Sequence, residues 1–131
     1  MNRYWVLVLA VVVVGTLSLS KSAGVGAEHV IALEHFLGGD KHLHFLCAFV
    51  LTCLSVWTTR SRGKNTTVRL VGWPTLVIVL LMLLDESSQF WLTRREFSVD
   101  DMMTNLFGVA IALCIATGVN YILSSKAHFD D

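Results

Sequence analysis

Residues 70–91 read LVGWPTLVIVLLMLLDESSQFW, an apolar run that stays uncharged as far as Leu84 and closes on Asp85, Glu86 and Gln89. A hydrocarbon core about 30 Å thick takes roughly 20 apolar residues of helix to cross. The stretch meets that length. Lipid offers no partner to an exposed backbone amide, so a single apolar run of this kind is stable there only as a helix. The reading that follows is an all-α integral membrane protein whose helices carry acidic and amide groups at their ends.

Working outward, three more segments approach crossing length, at about 4–19, 42–59 and 102–123, which makes about four transmembrane helices in a single domain spanning 1–131. A hydrophobic content of 54% is too high for an ordinary soluble domain of 131 residues. The first segment follows Arg3 and leads into the small residues Ser22 to Ala27, which suit a signal peptidase. Its apolar run is longer than the ~7 to 15 residues of a signal core, which favours a retained helix over a cleaved one. Between the first two segments, Glu28 to Leu37 is expected to form a short amphipathic helix on the outer membrane surface, punctuated by Gly24, Gly26, Gly38 and Gly39.

The formal net charge of zero hides an asymmetry. Arg60, Arg62, Lys64 and Arg69 fall in one loop with no acid, which marks it as cytoplasmic. Four crossings then bring both termini inside and leave Glu28, Glu34, Asp40, Asp85, Glu86, Glu96, Asp100 and Asp101 at the outer side. The loop Arg60 to Arg69 reads as a topology signal that also suits anionic lipid heads. The expected arrangement is multi-pass, with N- and C-termini in the cytoplasm.

Polar residues gather in three spaced sets near the outer ends. Asp40 follows two glycines and is placed to N-cap the second helix, while Lys41 and His44 share a face of its first turn. Glu86 and Gln89 lie three apart at the end of the third. In the fourth, Asp101, Asn105 and Gly108 fall at i, i+4 and i+7, one stripe at helical period, with Gly108 free to admit a neighbouring helix. Arg94 and Arg95, in the short loop between, are expected to pair with Glu86 and Asp101. A shared outer polar pocket follows, lined by Asp40, Lys41, His44, Glu86, Gln89, Arg95, Asp101 and Asn105.

In order and internal spacing, Asp40-Lys41-x-x-His44-Phe45, Glu86-x-x-Gln89, Arg95 and Asp101-x-x-x-Asn105-x-x-Gly108 resemble the VanZ-like membrane proteins, a family named after a teicoplanin-resistance accessory protein. The resemblance covers about 40–108 with the flanking helices. It implies a small multi-helix protein of the bacterial cytoplasmic membrane, linked in its namesake to glycopeptide tolerance, and it carries no agreed reaction. Where the family often has Pro and Gly before its arginine, this chain reads Trp91-Leu92-Thr93-Arg94, so a more helical loop is expected.

Each residue also has a plainer role. Asp40 serves as a cap, Lys41 snorkels to the interface, and His44 is either a proton relay or ligand group or a hydrogen-bonded structural histidine. Glu86 is the foremost acid–base candidate, with His44 the other, although an arginine partner makes Glu86 structural. Asp101 and Asn105 suit capping and interhelical hydrogen bonds. No metal and no cofactor is expected: His42 and His44 lie about 200° apart around a helix, and neither His-x-x-x-His nor Cys-x-x-Cys occurs. Cys47, Cys53 and Cys114 read as small hydrophobes, and Trp5, Trp57, Trp73 and Trp91 as interfacial anchors. No nucleic-acid-binding stripe is present.

Three functions fit these residues. The first is an accessory or binding protein of the cell envelope, holding a lipid head group, a precursor fragment or a glycopeptide. The second is an intramembrane acid–base enzyme acting on an anionic, lipid-linked substrate. The third makes the polar network purely a helix-packing device. Membrane lipids are partners in all three. Self-association stays open, with Gly108, Ala112 and Ala116 the nearest approach to a small-residue stripe, one that also suits internal packing.

Overall fold

A computed structural model of the chain describes residues 3–59, 72–92 and 96–129. Among them are five α-helices and no strand: α1 (Arg3–Ala23), α2 (Ala27–Leu37), α3 (Asp40–Thr59), α4 (Trp73–Ser88) and α5 (Val99–Phe129), with one 3₁₀ turn, Gln89–Trp91, closing α4. The basic loop between α3 and α4, and the two arginines between α4 and α5, lie outside the described residues.

Local chemistry sets the boundaries. α2 ends where Gly38 and Gly39 take φ of 93° and 134°, and the Gly39 amide bonds the Glu34 carbonyl at 2.7 Å. α3 begins at once, and the Gly39 carbonyl accepts from the His42 and Leu43 amides. Asp40 is therefore the first helical residue, not the cap, and its carboxylate turns to Lys21 instead. Pro74 sits in the first turn of α4, where its fixed φ suits a helix start. Ser98 caps α5: its hydroxyl accepts from the Asp101 amide at 3.2 Å, which relieves Asp101 of the capping role its position suggested. The helix after Gln89 stops at Trp91 and Leu92 is extended, while Thr93 and Arg94 of the loop expected to be more helical lie outside the described residues.

Side-chain contacts fix how the helices run. At one end of the bundle Arg3 of α1 donates to the Trp57 carbonyl of α3, and Ser55 of α3 bonds Thr75 of α4 at 2.7 Å. At the other end Lys21 of α1 meets Asp40 of α3, Ser18 of α1 meets Asp85 of α4, and Lys41 of α3 meets Asp100 of α5. Helices α1 and α4 therefore run one way and α3 and α5 the other. α3 lies at the centre, packed on all four of the others and most extensively on α5.

Gly108 makes that closest packing. A Cβ there would stand 2.7 Å from the Phe45 carbonyl oxygen and 3.1 Å from the Ala48 Cβ. Ala112 is buried on the same seam, so this small-residue stripe packs within the chain. A small apolar core, Leu7, Leu51 and Ile78, ties α1, α3 and α4 together.

Burial runs opposite to that of a soluble protein. Glu34, Thr52, Ser55, Thr75, Glu86, Gln89, Asp101 and Asn105 are buried, while Leu9, Val12, Leu76, Leu80, Leu84, Met103 and Phe107 face outward. Such an exterior is favourable against lipid. α1, α3 and residues Val99–Leu123 of α5 are each long and apolar enough to cross a membrane. α4 has 16 residues, fewer than the expected 70–91 segment, and its 3₁₀ turn extends it to Trp91. It nevertheless runs between the same two ends as its neighbours, from the Ser55–Thr75 bond to the Ser18–Asp85 bond. α1 passes the expected end at Leu19 by one turn, which carries Lys21 into the helix.

Candidate functional site

The end of the bundle where α1 and α4 finish and α3 and α5 begin carries a dense polar group. Lys21, in the last turn of α1, donates to Glu34 of α2 and, at 2.8 Å, to Asp40 of α3. Glu34 is 8% exposed although its helix was expected to lie on the membrane surface. Its partner explains the burial: α2 folds back on α1 and α3 with Val30 and Glu34 inward and Ile31 and Phe36 outward. The His44 Nε2 lies 3.6 Å from the Asp40 carboxylate, one turn along α3. Ligand atoms of Asp40, His44 and Asp101 all lie within 4.8 Å of one another. Two helices thus supply three metal-ligating side chains to one point.

Beneath this group opens a cavity of about 440 Å³ between α1, α3 and α4, lined also by Val30 and Glu34 of α2 and Asn105 of α5. Its walls are largely apolar, with Val11, Val14, Leu51, Ile78 and Met82, and its polar side chains include Lys21, Glu34, Asp40, His44, Asp85 and Asn105. Asp85 is held by Ser18, whose hydroxyl lies 2.8 and 2.7 Å from the two carboxylate oxygens.

Glu86 and Gln89 do not line this cavity. They are 1% and 2% exposed, and the Gln89 amide donates to Glu86 Oε2 at 3.2 Å. Glu86 Oε1 accepts the Ser98 amide at 3.2 Å. Since Ser98 in turn caps α5, the pair pins the start of α5 to the end of α4.

The sequence-predicted residues thus divide. Asp40, His44 and Asn105 share the cavity, and Asp101 joins Asp40 and His44. Glu86 and Gln89 form a buried tie. Lys41 is exposed, paired with Asp100 at 2.8 Å. Arg95 lies outside the described residues. Ser18, Lys21, Glu34 and Asp85 were not singled out. Their only signal in the sequence was charge or hydroxyl within an apolar context, since the partners come from different helices.

A family model described as VanZ/LLP1 matches residues 4–122, nearly the whole chain. No curated protein and no solved structure matches.

Proposed function

This chain belongs to the VanZ/LLP1 family, and from that premise we propose that it is an accessory binding protein of the bacterial cell envelope that holds an amphiphile at the outer face of the cytoplasmic membrane. The observation that carries the reading is the cavity between α1, α3 and α4, with apolar walls and one charged end. That polarity matches a lipid: an acyl or prenyl chain against Val14, Ile78 and Met82, and a head group beside Lys21, His44 and Asn105. A glycopeptide reaches such a site only from outside, and the basic loop Arg60 to Arg69 suits the opposite face. The proposed orientation therefore puts both termini and the basic loop in the cytoplasm. A link to teicoplanin tolerance belongs to this same proposal.

A second reading, acid–base chemistry on the bound amphiphile, is favoured by His44, which lines the cavity within reach of Asp40. Glu86, tied to Gln89 and Ser98, is given a structural role here.

Native mass spectrometry of the full chain, presented with a diacyl phospholipid and with a polyprenyl phosphate, tests the binding reading. Wild type is expected to retain one of them, and Val14→Phe and Met82→Phe, which fill the cavity, are expected to lose it. Equal retention by wild type and both filled variants would refute it.

A further inference from the structure

We infer that Asp40, His44 and Asp101 form a site for a divalent cation of the zinc or manganese class, set in the wall of the cavity. Zinc-type ions take one imidazole nitrogen and carboxylate oxygens at about 2.0 to 2.2 Å, which places ligand atoms about 3.3 Å apart in a tetrahedron. The His44 Nε2 and Asp40 Oδ1 atoms are 3.6 Å apart already, and Asp101 lies within 4.8 Å of both. A small inward rotamer adjustment closes the remaining gap.

Two independent observations point to a cation. Asp101 is 8% exposed, and among the described residues no hydrogen bond or ion pair reaches its carboxylate. A carboxylate in such a place is costly unless something positive faces it. The charge count agrees. Among the described residues, Glu34, Asp40, Asp100 and Asp101 bring four carboxylates to a cluster with two ammonium groups, Lys21 and Lys41, the latter bonded to Asp100 and also attracted by Asp101 and Asp40. The cluster is two positive charges short of neutrality, the charge of a divalent ion. Lys21 bonds Asp40 Oδ1, the same oxygen that lies 3.6 Å from His44 Nε2, so an ion there shares Asp40 with the ammonium.

Three protein ligands leave the ion a further coordination position. Asp40 and His44 both line the cavity, so an anionic head group there would complete the shell. The ion site itself does not depend on that occupant.

The test adds ZnCl2 and MnCl2 separately to chelator-stripped, full-length protein in detergent, without added lipid, and measures bound ion per chain alongside thermal unfolding. Wild type is expected to bind one ion saturably and to unfold at a higher temperature with it, because the ion bridges α3 and α5. Asp101→Asn and His44→Ala are expected to bind at least about tenfold more weakly. His35→Ala, an exposed residue of α2, is expected to bind as wild type does. A cobalt(II) absorption spectrum of wild type, expected to show a low-coordinate site with a nitrogen ligand, supplies a readout that needs no variant. Absence of saturable binding in wild type overturns the site even if the variants fail to fold. Unaltered binding in a folded Asp101→Asn or His44→Ala, or loss of binding in His35→Ala alone, overturns it equally.

Discussion

The Lys21 ammonium lies 2.8 Å from the Asp40 carboxylate, joining the end of α1 to the first residue of α3, and it holds Glu34 of α2 at the same time. One cation therefore organises three helices. Its side chain is 22% exposed and that of Glu34 11%, so water screens the group only in part.

Replacing Lys21 by Met leaves two neighbouring carboxylates without their ammonium. Breaking a buried pair costs about 3 to 5 kcal/mol, and the partial exposure here brings the expectation to about 1 to 3 kcal/mol. Thermal or denaturant unfolding in detergent reads the loss. The double variant Lys21→Met/Glu34→Gln should recover part of it, and strict additivity of the two changes would show that the residues do not interact.

Gly108 is expected to tolerate no side chain. Because its nearest neighbour is a backbone oxygen of α3 at 2.7 Å, Gly108→Ala must push α5 away, at a cost of about 1 to 3 kcal/mol. Gly118, on the same helix with nothing within 4 Å, provides the contrast. There alanine should be neutral or stabilising by up to about 1 kcal/mol, since it is the better helix former. Equal unfolding temperatures for the two variants would contradict the packing described.

Glu86→Gln is expected to reduce stability and membrane abundance. The carboxylate accepts from both Gln89 and Ser98, and an amide can keep only one acceptor oxygen. The loss should be about 1 to 3 kcal/mol. Wild-type abundance and stability would return Glu86 to the acid–base role that its sequence position suggested.

The Ser55–Thr75 bond joins α3 to α4 between fully buried hydroxyls. Hydrogen bonds of this kind in membrane bundles average about 0.6 kcal/mol and reach about 1.7. Ser55→Ala and Thr75→Val should each cost an amount in that range, and the double variant less than their sum.

Much of this fold is legible in the sequence because lipid makes so few structures stable. The apolar run ending at Leu84, the glycines before Asp40 and the helical spacing of Asp101, Asn105 and Gly108 each fix a local feature, and the polar sets lie towards one end of the bundle, with Glu86 and Gln89 apart from the cavity. What was not legible is which helix neighbours which. Lys21, Glu34 and Asp85 read as charges of the outer side, since nothing in their own surroundings names a partner; their contacts lie 13, 19 and 67 residues away. The ligand set escaped for the same reason: a search for paired histidines along one helix finds His42 and His44, whereas the structure draws His44 from α3 and Asp101 from α5. Glu86 and His44 looked alike as acid–base candidates, and only packing separates a buried tie from a cavity-facing imidazole.

The central claim is that the charged end of the cavity opens to the outside of the cell. Exposed Glu96 lies at that end, just before Ser98, and exposed Ser125 lies near the opposite end of α5. With Cys47, Cys53 and Cys114 replaced, single cysteines at Glu96 and at Ser125 should respond oppositely to a membrane-impermeant thiol reagent. Labelling of the Glu96 site in intact cells, with Ser125 labelled only after permeabilisation, is the predicted result. Labelling of Ser125 in intact cells and of Glu96 only after permeabilisation would turn the cavity towards the cytoplasm and contradict the account.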